Sequence, residues 1–198
     1  MITVAITGGV ACGKSSVARG LQEGLKAPFF SSDQCVADLL LESDVQKRVQ
    51  DLLSRYGVPH GTAFEKTLVR KHAFENSEFR EKLELLIHPL VYQRLVDFLG
   101  NKPDHTEFLL VEVPLLYEVD FPLKRDLDLV VAASPATQVD RLTSMRGLEL
   151  PVANQILNAQ LSIDEKICRA DLVVWNDGSM EALNLQVEHL VRRCFSQY

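Results

Sequence analysis

The chain has 198 residues, 46% of them hydrophobic and 24% charged, which is enough to build one core with an elaboration and no help from disulfides or metals. Its formal net charge of −6 argues against broad binding to nucleic acid or to an anionic membrane, since both favour a surplus of Lys and Arg. Cys12, Cys35, Cys168 and Cys194 form no CxxC pair, the histidines form no HExxH motif, and the N-terminus lacks a signal-peptide pattern. The expectation is therefore a cytoplasmic protein with reduced thiols.

Along the chain, strands and helices alternate. Residues Ile2 to Ile6 are a β-branched apolar run stopped by Thr7-Gly8-Gly9, as in a buried parallel strand. Lys14 to Leu25 then carries apolar residues at helical spacing. A weak second strand covers Pro28 to Ser31, Asp33 follows, and a helix is expected over Val36 to Leu41. From about Asp44 to Gly100 the periodicity is helical throughout, with a loop from Gly57 to Ala63. His88-Pro89 reads as a boundary between two helices there, because proline disfavours helix at the residue before it. Strands return at Phe108 to Val113, Leu127 to Ala132 and Leu172 to Trp175, with helices near Ala136 to Met145 and Val152 to Leu161 between the last two. A helix over Met180 to Phe195 closes the chain. The pattern predicts an α/β fold with a doubly wound parallel five-stranded sheet. Residues 1–43 and 101–198 form its core, with a helical insertion over 44–100.

Gly8-Gly9-Val10-Ala11-Cys12-Gly13-Lys14-Ser15 fits GxxxxGK[ST] between a strand and a helix. Glycines let successive amides turn inward on a phosphate, and the following helix adds its positive end. Lys14 has the reach for β- and γ-phosphates, and the Ser15 hydroxyl can ligate Mg²⁺. A dinucleotide-binding reading uses Gly8, Gly13 and Asp33, but it puts Val10 where the middle glycine belongs and leaves Lys14-Ser15 without a role. A GTPase-type switch has only Asp97-Phe98-Leu99-Gly100 in its favour, and that segment reads as a helix end with no NKxD motif to accompany it. Asp33, just past the second strand, suits either a carboxylate orienting an acceptor hydroxyl or a helix cap.

The sequence resembles the dephospho-CoA kinase family. The resemblance rests on Ile6-Thr7-Gly8-Gly9-Val10, Gly13 to Ala18, Ser32-Asp33, Leu83 to Pro89 and Pro114-Leu115-Leu116-Tyr117-Glu118. It continues through Gln138 to Leu142 with Arg146, and then Gln160, Lys166, Ala170-Asp171 and Asn176. It implies a P-loop NTPase-type fold with a helical acceptor-binding insertion and a helical lid over 136–165. It also implies ATP-dependent phosphorylation of the ribose 3′-hydroxyl of dephospho-CoA with Mg²⁺, the last step of coenzyme A synthesis, by a monomer or weak homo-oligomer. Another small-molecule or nucleotide kinase is the alternative.

On that basis Gly8, Gly9, Ala11, Cys12, Gly13, Lys14, Ser15, Ser16 and Asn176 are expected to bind ATP, with Ser15 on the metal. Lys14, Asp33, Arg141 and Arg146 are expected at the reacting groups. Without the resemblance, Arg141 and Arg146 read as a solvated helix face, and Asn176 as part of a turn. Glu118 has no assigned role. The chain departs from the family at Ala11, Cys12, Ser16, Gln34, Cys35 and Lys66. Cys12, at a helix start beside Lys14, is expected to have a lowered thiol pKa and to react with maleimide; the alternative is an inert thiol turned into the core.

Overall fold

The computed structural model describes residues 1–59, 61, 63–119 and 121–195. β1 (Ile2–Gly8) is buried from Thr3 onward, β3 (Phe108–Glu112) is buried throughout, and β4 (Leu127–Ala132) is buried after its first residue. Strands covered on both faces read as continuous apolar runs and not as alternating ones. β2 (Phe29–Ser31) and β5 (Leu172–Trp175) are short edge strands. All neighbours pair in parallel in the order β2-β3-β1-β4-β5, with Ile6 beside both Glu112 and Leu129. Because β3 and β4 flank β1, the winding changes direction there, and a crevice opens at the carboxyl ends of these strands.

Helices cover the sheet. α1 (Lys14–Leu25) buries Val17, Ala18 and Leu21. It also packs close to α9 (Met180–His189), since a Cβ at Gly20 would lie 2.9 Å from a methyl of Val187. After β4 come α6 (Pro135–Asp140), α7 (Leu150–Asn158) and α8 (Ile163–Arg169). The helix expected over Ala136 to Met145 is α6 running into a π-helical segment, Arg141–Met145. The closing helix likewise ends in π geometry at Leu190–Cys194. α8 was not anticipated, although a capping box between Ser162 and Glu165 marks its start.

The chain divides into two compact units, Met1–Ser31 with everything from Lys102 onward, and Ser32–Asn101. The second contains α2 (Ser32–Leu39), α3 (Ser43–Arg55), α4 (Lys66–Glu75) and α5 (Ser77–Gly100). α2 thus groups with the helical unit. The loop expected over Gly57 to Ala63 includes His60 and Thr62, which lie outside the described residues. α3 buries Val45, Val49, Leu52 and Leu53 on one face, as its periodicity requires. The expected break at His88-Pro89 is corrected here, because α5 continues unbroken through Pro89. Its buried line of Phe79, Ile87, Val91 and Leu95 spans the proline, which sits on the exposed side. Tertiary burial along that line outweighs one lost backbone hydrogen bond.

Candidate active site

The loop after β1 is shaped by its glycines. Gly8 has φ 142° and is so closely packed that a Cβ would lie 2.0 Å from the Val131 carbonyl oxygen. Gly13 caps α1 in the left-handed region at φ 90°, where a Cβ would meet the Asn176 amide nitrogen at 2.4 Å. Ala11 also adopts φ 57°, an uncommon conformation for a side chain with a Cβ. The amides from Gly13 onward open α1, so its positive end faces the loop. Lys14 Nζ folds back to donate to the carbonyls of Gly8 at 3.2 Å and Gly9 at 2.8 Å. Ser15 and Ser16 are exposed at the first turn of α1.

Three side chains from far along the sequence hold the loop backbone. Gln160 Oε1 accepts from the Val10 amide at 3.0 Å. Asn176, buried at the end of β5, donates from Nδ2 to the Cys12 carbonyl at 2.9 Å. Arg141 donates to the Ala11 carbonyl at 3.1 Å and to the Asn176 carbonyl at 2.8 Å. The structure therefore joins Gly8, Gly9, Ala11, Cys12, Gly13, Lys14, Ser15, Ser16, Arg141 and Asn176 in one neighbourhood. Asn176 acts there through the loop backbone. Arg146 is exposed just past the π segment. In an α-helix, residues five apart diverge by about 140°; the i→i+5 pattern of a π turn instead draws them toward one side.

The expectation for Cys12 is overturned. Its side chain is fully buried beneath Gly9, and burial pushes the thiol above its ordinary range. Lys14 and backbone hydrogen bonds from Ala133 and Gly9 oppose this only in part. A low-dielectric setting disfavours the thiolate more than one nearby ammonium favours it.

Other polar groups cluster at the carboxyl edge of the sheet. Glu112 is buried and accepts from Ser31 Oγ at 2.9 Å. It is the lone acid of an otherwise apolar strand, a signal that could have flagged it. Lys166, completely buried, lies 2.7 Å from Glu118 Oε1. Asp177 accepts from the Ser134 amide at 2.8 Å, and that bond holds its carboxyl below the usual range. In the helical unit, Asp33 is exposed in the first turn of α2, and Lys66 donates to the Ala37 carbonyl at 3.2 Å.

The dephospho-CoA kinase family profile matches residues 2–182. The chain belongs to the dephospho-CoA kinase family. It is 34% identical over 191 residues to a dephospho-CoA kinase from Protochlamydia amoebophila, covering 94% of this chain and 93% of that one. A crystal structure of a Thermus thermophilus protein is similar at 26% identity and TM-score 0.81, covering 96% of each chain. A dephospho-CoA kinase from Campylobacter jejuni shares the fold at TM-score 0.67 and 18% identity, covering 98% of each chain. This member of the family is a transferase, a kinase of coenzyme A biosynthesis. The family signatures read from the sequence, Gln160, Arg141 and Asn176 among them, converge on the phosphate loop, although they lie over 120 residues from it in sequence.

Proposed function

We propose that the chain transfers the γ-phosphoryl group of ATP in line to the ribose 3′-hydroxyl of dephospho-CoA, giving CoA and ADP without a phosphoenzyme. The observation that carries this reading is the phosphate loop itself: positive φ at Gly8, Ala11 and Gly13, a helix N-terminus and Lys14, with the loop backbone held by Gln160, Asn176 and Arg141. Lys14 meets the charge that develops on the transferring group. Arg141 and Arg146 clamp the phosphates from the segment 136–165, which acts as a lid and excludes water. Asp33 orients or deprotonates the acceptor hydroxyl, and the helical insertion receives the acceptor.

A Mg²⁺ ion fits this donor set. No group of three or more His, Cys, Asp or Glu side chains forms a metal cage among the described residues. Ser15 supplies one hydroxyl, as suits an ion carried on nucleotide phosphates. When bound, the ion neutralises phosphate charge.

The test is product analysis. With ATP and dephospho-CoA, ³¹P NMR and mass spectrometry should show one new monophosphate on the ribose 3′-oxygen. Formation of ADP with unmodified acceptor, or phosphorylation elsewhere, would overturn the assignment.

A further inference from the structure

Gln160 follows α7 and bonds the phosphate loop, while the backbone of its neighbour Leu161 bonds Glu118. The Leu161 amide donates to Glu118 Oε1 at 3.0 Å, and the ammonium of Lys166 lies 2.7 Å from the same oxygen. Lys166 also donates to the Pro114 carbonyl at 3.3 Å, which accepts the Thr7 hydroxyl at 3.1 Å. Polar contacts therefore run unbroken from the end of β1, through Pro114, Lys166, Glu118 and Leu161, to Gln160 and back to Val10 at the top of the loop.

Two features set this chain of contacts apart from ordinary surface bonding. The Lys166 side chain has 0% exposure and Glu118 only 16%, so the ammonium is cut off from water and the carboxylate largely so. Glu118 Oε2 is buried without a hydrogen-bond partner among the described residues. An interior ion pair with one oxygen unsatisfied is a poor source of stability compared with apolar groups of the same size. What it does supply is position, because it pins the α7–α8 connector at one point. The connector in turn presents Gln160 to a loop whose amides bind phosphate only while they point inward.

We propose that Gln160, supported from behind by the buried Glu118–Lys166 pair, is a positioning residue that sets the nucleotide affinity of the phosphate loop without touching the nucleotide. The proposal rests on the reading of Gly8 to Ser15 as the nucleotide cradle.

Equilibrium titration of the full chain with a fluorescent ATP analogue tests it, alongside steady-state kinetics. Gln160→Met keeps the length but removes the acceptor oxygen. It should weaken nucleotide binding and raise the KM for ATP about five- to tenfold, the scale of one neutral hydrogen bond. The kcat and the KM for dephospho-CoA should stay within about twofold. Glu118→Met with Lys166→Met removes both charges together, an exchange that is commonly neutral for folding. The double variant should weaken nucleotide binding in the same direction, and adding Gln160→Met to it should produce little further loss. Unchanged affinity in Gln160→Met, or losses that simply multiply in the triple variant, would overturn the proposal. If Gln160→Met fails to fold, the double variant decides, and unchanged affinity there overturns it equally. Lys14→Ala separates the two claims. Wild-type affinity in that variant would overturn the cradle reading and this proposal with it. A loss in Lys14→Ala beside an unaffected Gln160→Met would overturn this proposal alone.

Discussion

Cys12 and Asp33 illustrate opposite environments for a reactive group. The Cys12 thiol is enclosed beneath Gly9, and burial raises it. At pH 7.5 a limiting amount of maleimide should therefore modify the exposed Cys168 and leave Cys12 intact, as mass spectrometry of peptides can establish. Modification of Cys12 ahead of Cys168 would mean that the loop opens far more readily than its tethers imply. Asp33 is exposed in the first turn of α2, open to solvent where Cys12 is enclosed. Asp33→Asn should leave folding and nucleotide affinity unchanged and lower kcat by roughly 100-fold, the scale of a lost general base. A rise in the acceptor KM alone would make Asp33 a binding group instead. Ala11 carries a different expectation, since a left-handed conformation is uncomfortable with a Cβ. Ala11→Gly relieves that strain but adds backbone freedom to the unfolded chain, so stability should rise by no more than about 1 kcal/mol in denaturant titration. Marked destabilisation would contradict this account of the loop.

Among the elements, α5 shows tertiary burial overriding a local rule. Asn76 caps it by accepting the Phe79 amide at 2.9 Å, and its apolar line then continues on both sides of Pro89. Proline removes one backbone bond and crowds the carbonyl four residues earlier, a penalty of about 3 kcal/mol in a helix interior. Pro89→Ala should recover part of this and raise the melting temperature by a few degrees, read by circular dichroism. An unchanged or lower Tm would show that the ring is itself packed to advantage. At the sheet edge, Gln186 of α9 accepts from the Trp175 amide at 3.1 Å and donates to its carbonyl at 2.9 Å. The carboxamide takes the place of a neighbouring strand and blunts an edge that would otherwise pair with another chain.

Over the whole molecule, legibility followed the range of the interactions. β4 and β5 were readable to the residue, because short apolar runs centred on paired valines and bounded by turn residues specify strands, whether central as β4 or at the edge as β5. The phosphate loop was readable because its glycines and Lys14-Ser15 act through local backbone geometry. The strand order β2-β3-β1-β4-β5 was not, since pairing across the sheet leaves no local trace. Nor were the tethers from Gln160 and Asn176, which bind backbone atoms 150 and 164 residues away, and a backbone atom has no sequence identity. For the same reason the sequence left open whether Cys12 is reactive or turned into the core, because the Gln138 side chain that closes over Gly9 comes from a distant helix.

The central claim is that this phosphate loop serves phosphoryl transfer to dephospho-CoA. A coupled assay of ADP formation, run with dephospho-CoA, adenosine, pantothenate and nucleoside monophosphates side by side, tests it most directly. The account predicts a kcat/KM for dephospho-CoA at least about 100-fold above every other acceptor, abolished in Lys14→Ala. Comparable turnover of another acceptor, or activity that survives loss of Lys14, would contradict it.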